Sequence, residues 1–371
     1  MCYGRGMETL SQAVLPAGIR ARLVPTGTGL SMHVLEAGFE IPGQPCLLLL
    51  HGFPELAYSW RKVMPALAAS GFHVIAPDQR GYGRTTGWDA ADLPSFRFFN
   101  LVRDVLGLLA GLGQTRVACV VGHDFGASVA AWAALLRPDI FRSTVLMSAP
   151  FAGPPALGRV APDFHADLAA LERPRKHYQW YYSTNAANPD MHRAPQGVHD
   201  FLRAYYHHKS ADWPGNQPFP LAGWTAEELA KLPTYYVMDL AKGMAETVAA
   251  EMPSRIPAWL LDAELAVYAE EFQRTGFQGG LNWYRCRTVA AIADELEIFT
   301  GRAIEVPACF IAGAQDWGIH QSPGALQAMQ QRACRRFLGL HLINGAGHWV
   351  QQEQPDAVTR LLLAFLAEAR V

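Results

Sequence analysis

The stretch from Val117 to Ala133 restricts the possible folds more than any other. It opens on a continuous apolar run rich in β-branched residues, Val117 to Val121, the pattern of a strand buried on both faces of a parallel sheet. An alanine-rich segment from Ala127 to Arg137 reads as a helix stopped by Pro138. Between them stands Gly122-His123-Asp124-Phe125-Gly126. Two glycines around a polar residue at a strand-to-helix turn predict a sharp elbow that lifts one side chain above the sheet. Such an elbow usually carries serine. Here it carries Asp124.

That residue narrows the chemistry. Serine attacks an acyl carbon and leaves an acyl-enzyme. A carboxylate is a poor nucleophile towards esters and amides, but against a strained or activated sp3 carbon it leaves an alkyl ester on the protein. Water can then cleave that ester at the protein's own carbonyl carbon. A bare Gly-x-Asp-x-Gly arises by chance in about one chain of this length in ten, so its neighbours must carry the case.

Strand and helix patterns alternate around the elbow. Arg20 to Pro25 and Leu30 to Glu36 predict an antiparallel pair at a sheet edge, and Cys46 to Leu50 a buried strand running into His51-Gly52-Phe53-Pro54. A helix from Tyr58 to Ala69, a strand from His73 to Ala76, a helix from Asn100 to Leu112 and a strand from Thr144 to Met147 follow. From Pro150 to about Val289 the alternation is lost. Prolines and aromatics crowd this part, with helical stretches at 225–232 and 257–275, which predicts an inserted helical lid and no further sheet. Alternation returns at Ala308 to Ala312 and Phe337 to Ile343, with a last helix from Pro355 to Ala369. The expected fold class is α/β: a mostly parallel sheet flanked by helices, with core residues 1–150 and 290–371 and a lid over 151–289.

A chain of 371 residues suits one such core with an insertion. With 17% charged residues and a formal net charge of −2, nucleic acid and anionic membrane surfaces are not expected partners. No apolar run reaches the roughly 20 residues of a membrane span. Met1 to Gln12 lacks the pattern of a signal peptide, and Met7 is an alternative start. The six cysteines are scattered without a C-x-x-C, as expected of reduced thiols in a cytoplasmic protein. No glycine-rich phosphate loop points to a cofactor, and adjacent His207 and His208 have a spacing that suits few metal sites, so neither cofactor nor metal is expected.

An elbow nucleophile needs a base, and the base needs an orienting acid. Asp316 lies in the loop just past the strand at 308–312, and His348 follows the strand at 337–343. Both belong at carboxyl ends of strands, the face on which the elbow opens. The order nucleophile, acid, base is the telling feature. After the first buried strand, the Phe53 N–H could join that of Phe125 in an oxyanion hole, and Pro54 allows a cis peptide at 53–54.

With these motifs in place, the chain resembles the epoxide hydrolases of the α/β-hydrolase fold. His51-Gly-Phe-Pro, Gly122-His-Asp-Phe-Gly and Gly345-Ala-Gly-His348 match that family's core motifs, and the likeness runs from about Leu30 onward. The lid segment Gly276-Phe-Gln-Gly-Gly-Leu-Asn-Trp-Tyr284-Arg is similar to the one carrying a ring-opening tyrosine, which implies Tyr284 in that role. Tyr178-Gln-Trp-Tyr is similar to the segment carrying the other, which implies Tyr178, with Tyr181 or Tyr182 as alternatives one helical turn later. The resemblance also implies Trp180 and Pro54 as substrate-binding residues. It implies an epoxide and water as reactants, and it allows a homodimer. Phenols suit the task, since they stay protonated at neutral pH and can donate to a forming alkoxide. Haloalkane and haloacid dehalogenases share the aspartate nucleophile, but here Phe125 stands where many carry a halide-binding Trp, and Phe125-Gly-Ala-Ser128 lacks carboxylate-binding arginines. A non-catalytic ligand-binding relative is the remaining alternative.

Overall fold

The computed structural model describes residues 8–158 and 163–370. Its centre is an eight-stranded sheet: β1 (Ile19–Pro25), β2 (Ser31–Ala37), β3 (Cys46–Leu50), β4 (His73–Pro77), β5 (Cys119–His123), β6 (Thr144–Met147), and two strands that follow the insertion. Two lid strands, β7 (Arg175–His177) and β8 (Val237–Asp239), come next in the chain, and β9 (Ile304–Gly313) and β10 (Cys334–Ile343) complete the main sheet. The order across the sheet is β1-β2-β4-β3-β5-β6-β9-β10, antiparallel from β1 to β4 and parallel beyond. The edge pair read from the sequence is β1 with β2.

The parallel strands are apolar throughout because helices cover both faces. Leu47 to Leu50 are at most 1% exposed, and the helix Phe125–Leu136 presents Ala127, Ala130, Ala131, Ala133 and Ala134 without exposed surface. Small side chains let that helix lie close to β5 and β6. The expected helix 58–69 is a short 3-10 turn, Ala57–Trp60, followed by Met64–Ala69. Pro65 in the second position of the new helix has no N–H to continue an earlier one. Cys46, Cys119, Cys286, Cys309 and Cys334 are buried and unbridged, and burial pushes each thiol up to about 12. Cys2 and Met7 lie outside the described residues.

Between β6 and Val289 the described residues form eight helices of at least four residues: 165–170, 178–182, 187–192, 197–208, 226–229, 244–249, 262–275 and 278–288. One expectation needs correcting. The insertion is not purely helical, because β7 and β8 pair as an antiparallel ribbon with Lys176 opposite Met238. Each strand is three residues long, too short to show alternation. The expected helix 257–275 starts at Asp262, where Glu264 accepts a hydrogen bond from the Leu261 N–H. Among the described residues no helix is long and apolar enough to cross a membrane.

Candidate active site

The elbow is built by close backbone approach. A Cβ on Gly122 would lie 2.1 Å from the Gly126 carbonyl oxygen, and one on Gly126 would lie 2.3 Å from that of Leu50. Both positions therefore require glycine. Asp124 itself has φ 52° and ψ −120°, a strained combination for a residue with a side chain. Its side chain meets the loop after β3, where a Cβ on Gly52 would lie 2.5 Å from the Asp124 Cβ.

The strands level the three predicted residues at one edge of the sheet. Leu50 pairs with Gly122, His123 with Met147, and Gly313 with Ile343. His348 Nε2 is 3.0 Å from Asp124 Oδ2, and its Nδ1 is 3.0 Å and 3.2 Å from the two oxygens of Asp316. Asp316 is further held by the Gly318 N–H at 2.7 Å. Burial alone would raise both carboxyls. The His348 bond, with the charges of His348 and Lys209, outweighs burial and holds Asp124 and Asp316 below the usual carboxylate range. Asp124 is thus ionised at neutral pH.

The other oxygen of Asp124, Oδ1, accepts the Phe53 N–H at 3.1 Å, and the 53–54 peptide is cis. Phe125 begins the helix after the elbow, so its N–H has no intrahelical acceptor. Beneath this loop lies a network that the sequence reading missed. Glu55, fully buried, accepts from the Gly52 N–H at 3.1 Å and lies 2.5 Å from His123 Nδ1. His123 Nε2 reaches the His348 carbonyl at 2.6 Å, and Gln351 donates to Glu55 at 2.9 Å. One charged pair thereby ties the loop before the nucleophile to the loop that carries the histidine. Its signal was Glu55 directly after the His-Gly-Phe-Pro motif and His123 directly before Asp124.

The lid closes the site with phenols. Gly279 packs backbone to backbone on Gly81, where an added Cβ would come within 2.1 Å of the Gly81 oxygen, and Trp283 Nε1 donates to Arg80 O at 3.0 Å. This docking brings the Tyr284 ring against Phe53 and Phe125, centroids 5.5 Å and 5.1 Å apart. Tyr178 follows β7, its N–H held by Tyr236 O at 2.8 Å, and its ring lies 5.9 Å from that of Tyr284. The Tyr178 hydroxyl donates to Gln321 Oε1 at 2.9 Å and accepts from Gln179 at 3.0 Å. That of Tyr284 has no hydrogen-bond partner among the described residues. Burial, then the Asp124 charge, pushes both phenols well above their ordinary range, so both stay protonated.

The lid alternatives separate. Tyr181 donates to Asp190 at 2.8 Å, away from the cluster. Tyr182 lies between Tyr178 and Tyr284 but donates to Tyr205 at 3.1 Å. Pro54 is buried and its carbonyl accepts from Tyr206 at 2.8 Å. Trp180 stands on the lid surface, 45% exposed, with its ring against His165 and not against the tyrosine cluster. The geometry therefore gives Trp180 no place beside the nucleophile. Among the described residues, no group of His, Cys, Asp and Glu side chains is arranged to hold a metal. His207 bonds to Glu251 O, and His208 is buried between Trp213 and Tyr235.

An ionised elbow aspartate, a histidine–aspartate pair, an amide facing the nucleophile's second oxygen and two protonated phenols can add a carboxylate to carbon and then hydrolyse the ester. Comparison with known proteins places the chain in a family. The family model described as alpha/beta hydrolase fold matches residues 45–355. Epoxide hydrolase A of Mycobacterium tuberculosis is 37% identical over 355 residues, covering 93% of this chain and 96% of the relative. An epoxide hydrolase of Caballeronia sordidicola is 31% identical, with 91% of each chain covered. Among solved structures, an epoxide hydrolase from an endophytic Streptomyces superposes with a TM-score of 0.79 at 32% identity, covering 96% of this chain and 97% of that one. The chain belongs to the α/β-hydrolase fold family and, within it, to the epoxide hydrolases.

Proposed function

We propose that this protein hydrolyses epoxides to vicinal diols through an alkyl ester on Asp124. The observation that carries the reading is the division of the Asp124 carboxylate, with Oδ1 on the Phe53 amide and Oδ2 beside His348, beneath Tyr178 and Tyr284. Asp124 attacks one epoxide carbon. The carbon–oxygen bond of the ring breaks with its electron pair going to oxygen, and a lid phenol supplies the proton. His348 then takes a proton from water, whose oxygen adds to the Asp124 carbonyl carbon. The resulting oxyanion is held by the Phe53 and Phe125 amides. Asp316 fixes the histidine tautomer and offsets the cation that forms. Collapse expels the diol oxygen as an alkoxide that takes the proton held by His348, and the carboxyl proton left on Asp124 returns to the lid phenolate, which restores the carboxylate and the phenol.

The two steps need different groups. The first requires no base, because Asp124 is already ionised. His348→Gln should therefore still be alkylated by styrene oxide and then stall, with diol turnover reduced by roughly 10³-fold or more. Intact-protein mass spectrometry should show an adduct of substrate mass on the peptide containing Asp124. A His348→Gln variant with wild-type turnover, or heavy oxygen from water entering the diol directly in the first turnover, would overturn the covalent route.

A further inference from the structure

Lys209 is a buried cation that the chemistry above does not use. It directly follows the lid helix Gly197–His208 and is 2% exposed. Its carbonyl accepts the His348 N–H at 2.9 Å. The contact is close, since a Cβ on Gly347 would lie 2.5–2.6 Å from Ser210 C, Ala211 N and Lys209 O. The side chain of this lid residue thus starts from the backbone that holds the histidine loop.

Its ammonium sits among four aromatic faces. Nζ is 5.0 Å from the ring centroid of Tyr236, 5.3 Å from Trp349, 5.6 Å from Tyr205 and 5.8 Å from Tyr235. Aromatic faces attract a cation but supply no lone pair in the manner of a carboxylate. Among the described residues, none of the three ammonium donors has a hydrogen-bond acceptor. Such burial is costly unless a charge nearby offsets it. The carboxylates facing it are Asp124 first, then Asp316 and Glu55. Glu55 is already paired with His123. Arg287 also lies near the site, its guanidinium 5.7 Å from the Phe125 ring centroid, but it is exposed and screened by solvent. His177 and His208 are neutral, held down to about 3 mainly by burial. Lys209 is thus a buried cation that faces both Asp124 and Asp316.

We propose that Lys209 is a positioning residue of the second chemical step, its caged charge stabilising the negative charge that returns to Asp124 when water attacks the ester. The inference rests on the alkyl-ester reading. In the first step the negative charge leaves Asp124 for the epoxide oxygen and is quenched by a phenol proton, so a cation beside Asp124 favours the ground state and gives no acceleration. In the second step the carbonyl electron pair moves onto the Asp124 oxygen as water adds. The same cation now lowers the barrier, because Lys209 is buried and its field is weakly screened. One charge therefore has opposite consequences for the two steps.

Single-turnover rapid quench of styrene oxide with intact-protein mass spectrometry separates them. In Lys209→Met, alkylation of Asp124 should proceed at least as fast as in the wild type, while ester hydrolysis slows by about 10–100-fold, so that the alkyl-enzyme accumulates. Methionine fits an aromatic cage and removes the charge without leaving a void. Lys209→Gln repeats the test should the methionine variant not fold. Lys209→Arg should bring hydrolysis back to within about threefold of wild type. Equal slowing of both steps would mean that Lys209 only supports the histidine loop, and unchanged hydrolysis would mean that its charge is not felt. Either result overturns the proposal while leaving the covalent route intact. Absence of both adduct and diol with the wild-type protein would instead overturn the alkyl-ester reading itself.

Discussion

In the core, Arg80 and Asp104 are buried as a bidentate pair at 2.6 Å and 2.8 Å, whereas His208 in the lid is buried with neither ring nitrogen bonded. The contrast extends further. His33 meets Asp78 at 2.8 Å, Glu36 gathers Arg20, Arg22 and His73, and Glu55 meets His123. The lid instead buries Tyr178, Tyr182, Tyr205, Tyr235, Tyr236 and Tyr284, with the Tyr236 hydroxyl unpartnered. Charges survive burial only beside a partner. The core can hold an ionised nucleophile because its partners are built in. Burial in the lid keeps Tyr178 and Tyr284 protonated and therefore able to donate. On the proposed mechanism, base and acid come from different parts of the chain for this physical reason.

The sharpest way to break that division is to remove both donors. Tyr178→Phe with Tyr284→Phe should slow Asp124 alkylation by about 10²–10⁴, with each single variant losing less because one phenol partly covers for the other. Hydrolysis of an ester already formed should change little. Stopped-flow or rapid-quench measurement of the two steps checks this. If the double variant is alkylated at the parental rate, the lid supplies shape and no protons, and the contrast with the core loses its chemical meaning.

Acid provides a second, smaller test, since the two regions should fail at different pH. Burial holds His177 and His208 down to about 3, and His177 Nδ1 already accepts the Gln179 N–H. A histidine whose folded value is depressed gains its proton more easily when unfolded, so stability falls as pH drops below about 6.5. The loss is about 1.4 kcal/mol per pH unit for each such group. Burial alone would raise Asp78, but the charge and bond of His33, with His51 and the Ala57 N–H, bring it down to about 2. Its contribution is complete above the unfolded carboxylate value near 4 and disappears only as pH falls towards 2. Urea unfolding at pH 7.5 and 5.5 should therefore show a loss that His208→Phe reduces and Asp78→Asn does not. An equal pH slope in wild type and His208→Phe would mean that the lid histidine is not buried neutral.

These differences also explain what the sequence could and could not reveal. The strands Cys46–Leu50 and Thr144–Met147 and the last helix Pro355–Ala369 were legible to the residue, because each is a local pattern of apolar side chains or a proline boundary. Asp124, Asp316 and His348 were legible because each follows a strand and sits beside glycines that only a close approach explains. The ribbon of β7 and β8 was not, since its pairing joins residues 60 to 64 apart, and the Arg175 bonds to Val237 O likewise span 62 positions. Glu55 and its partner His123 stand 68 positions apart. Lys209 reads locally as solvent-facing in His-His-Lys-Ser, and its burial depends on Tyr236 and Trp349, which come from elsewhere in the chain. Non-local partners of polar residues leave no periodicity.

The smallest expected effect tests the register of the first lid tyrosine. Tyr178 and Tyr181 are both phenols on one short helix, Tyr178–Tyr182, but they point to different surroundings. Tyr181 donates to Asp190 Oδ2, which also accepts the N–H groups of Met244 and Ala245 at 2.6 Å and 3.2 Å. Gly243 leaves room for that carboxylate, since a Cβ there would lie 2.4 Å from Asp190 Oδ1. Removing the Tyr181 hydroxyl leaves Asp190 with two backbone donors, so no buried charge is orphaned. Tyr181→Phe should therefore cost about 1 kcal/mol of stability or less and leave alkylation within about twofold of wild type. Tyr178→Phe, in contrast, should lower the alkylation rate, because its hydroxyl belongs to the cluster around Tyr284. If Tyr181→Phe slowed alkylation more than tenfold and Tyr178→Phe did not, the donor would lie one helical turn further on. The lid would then have to rotate that helix to reach Asp124.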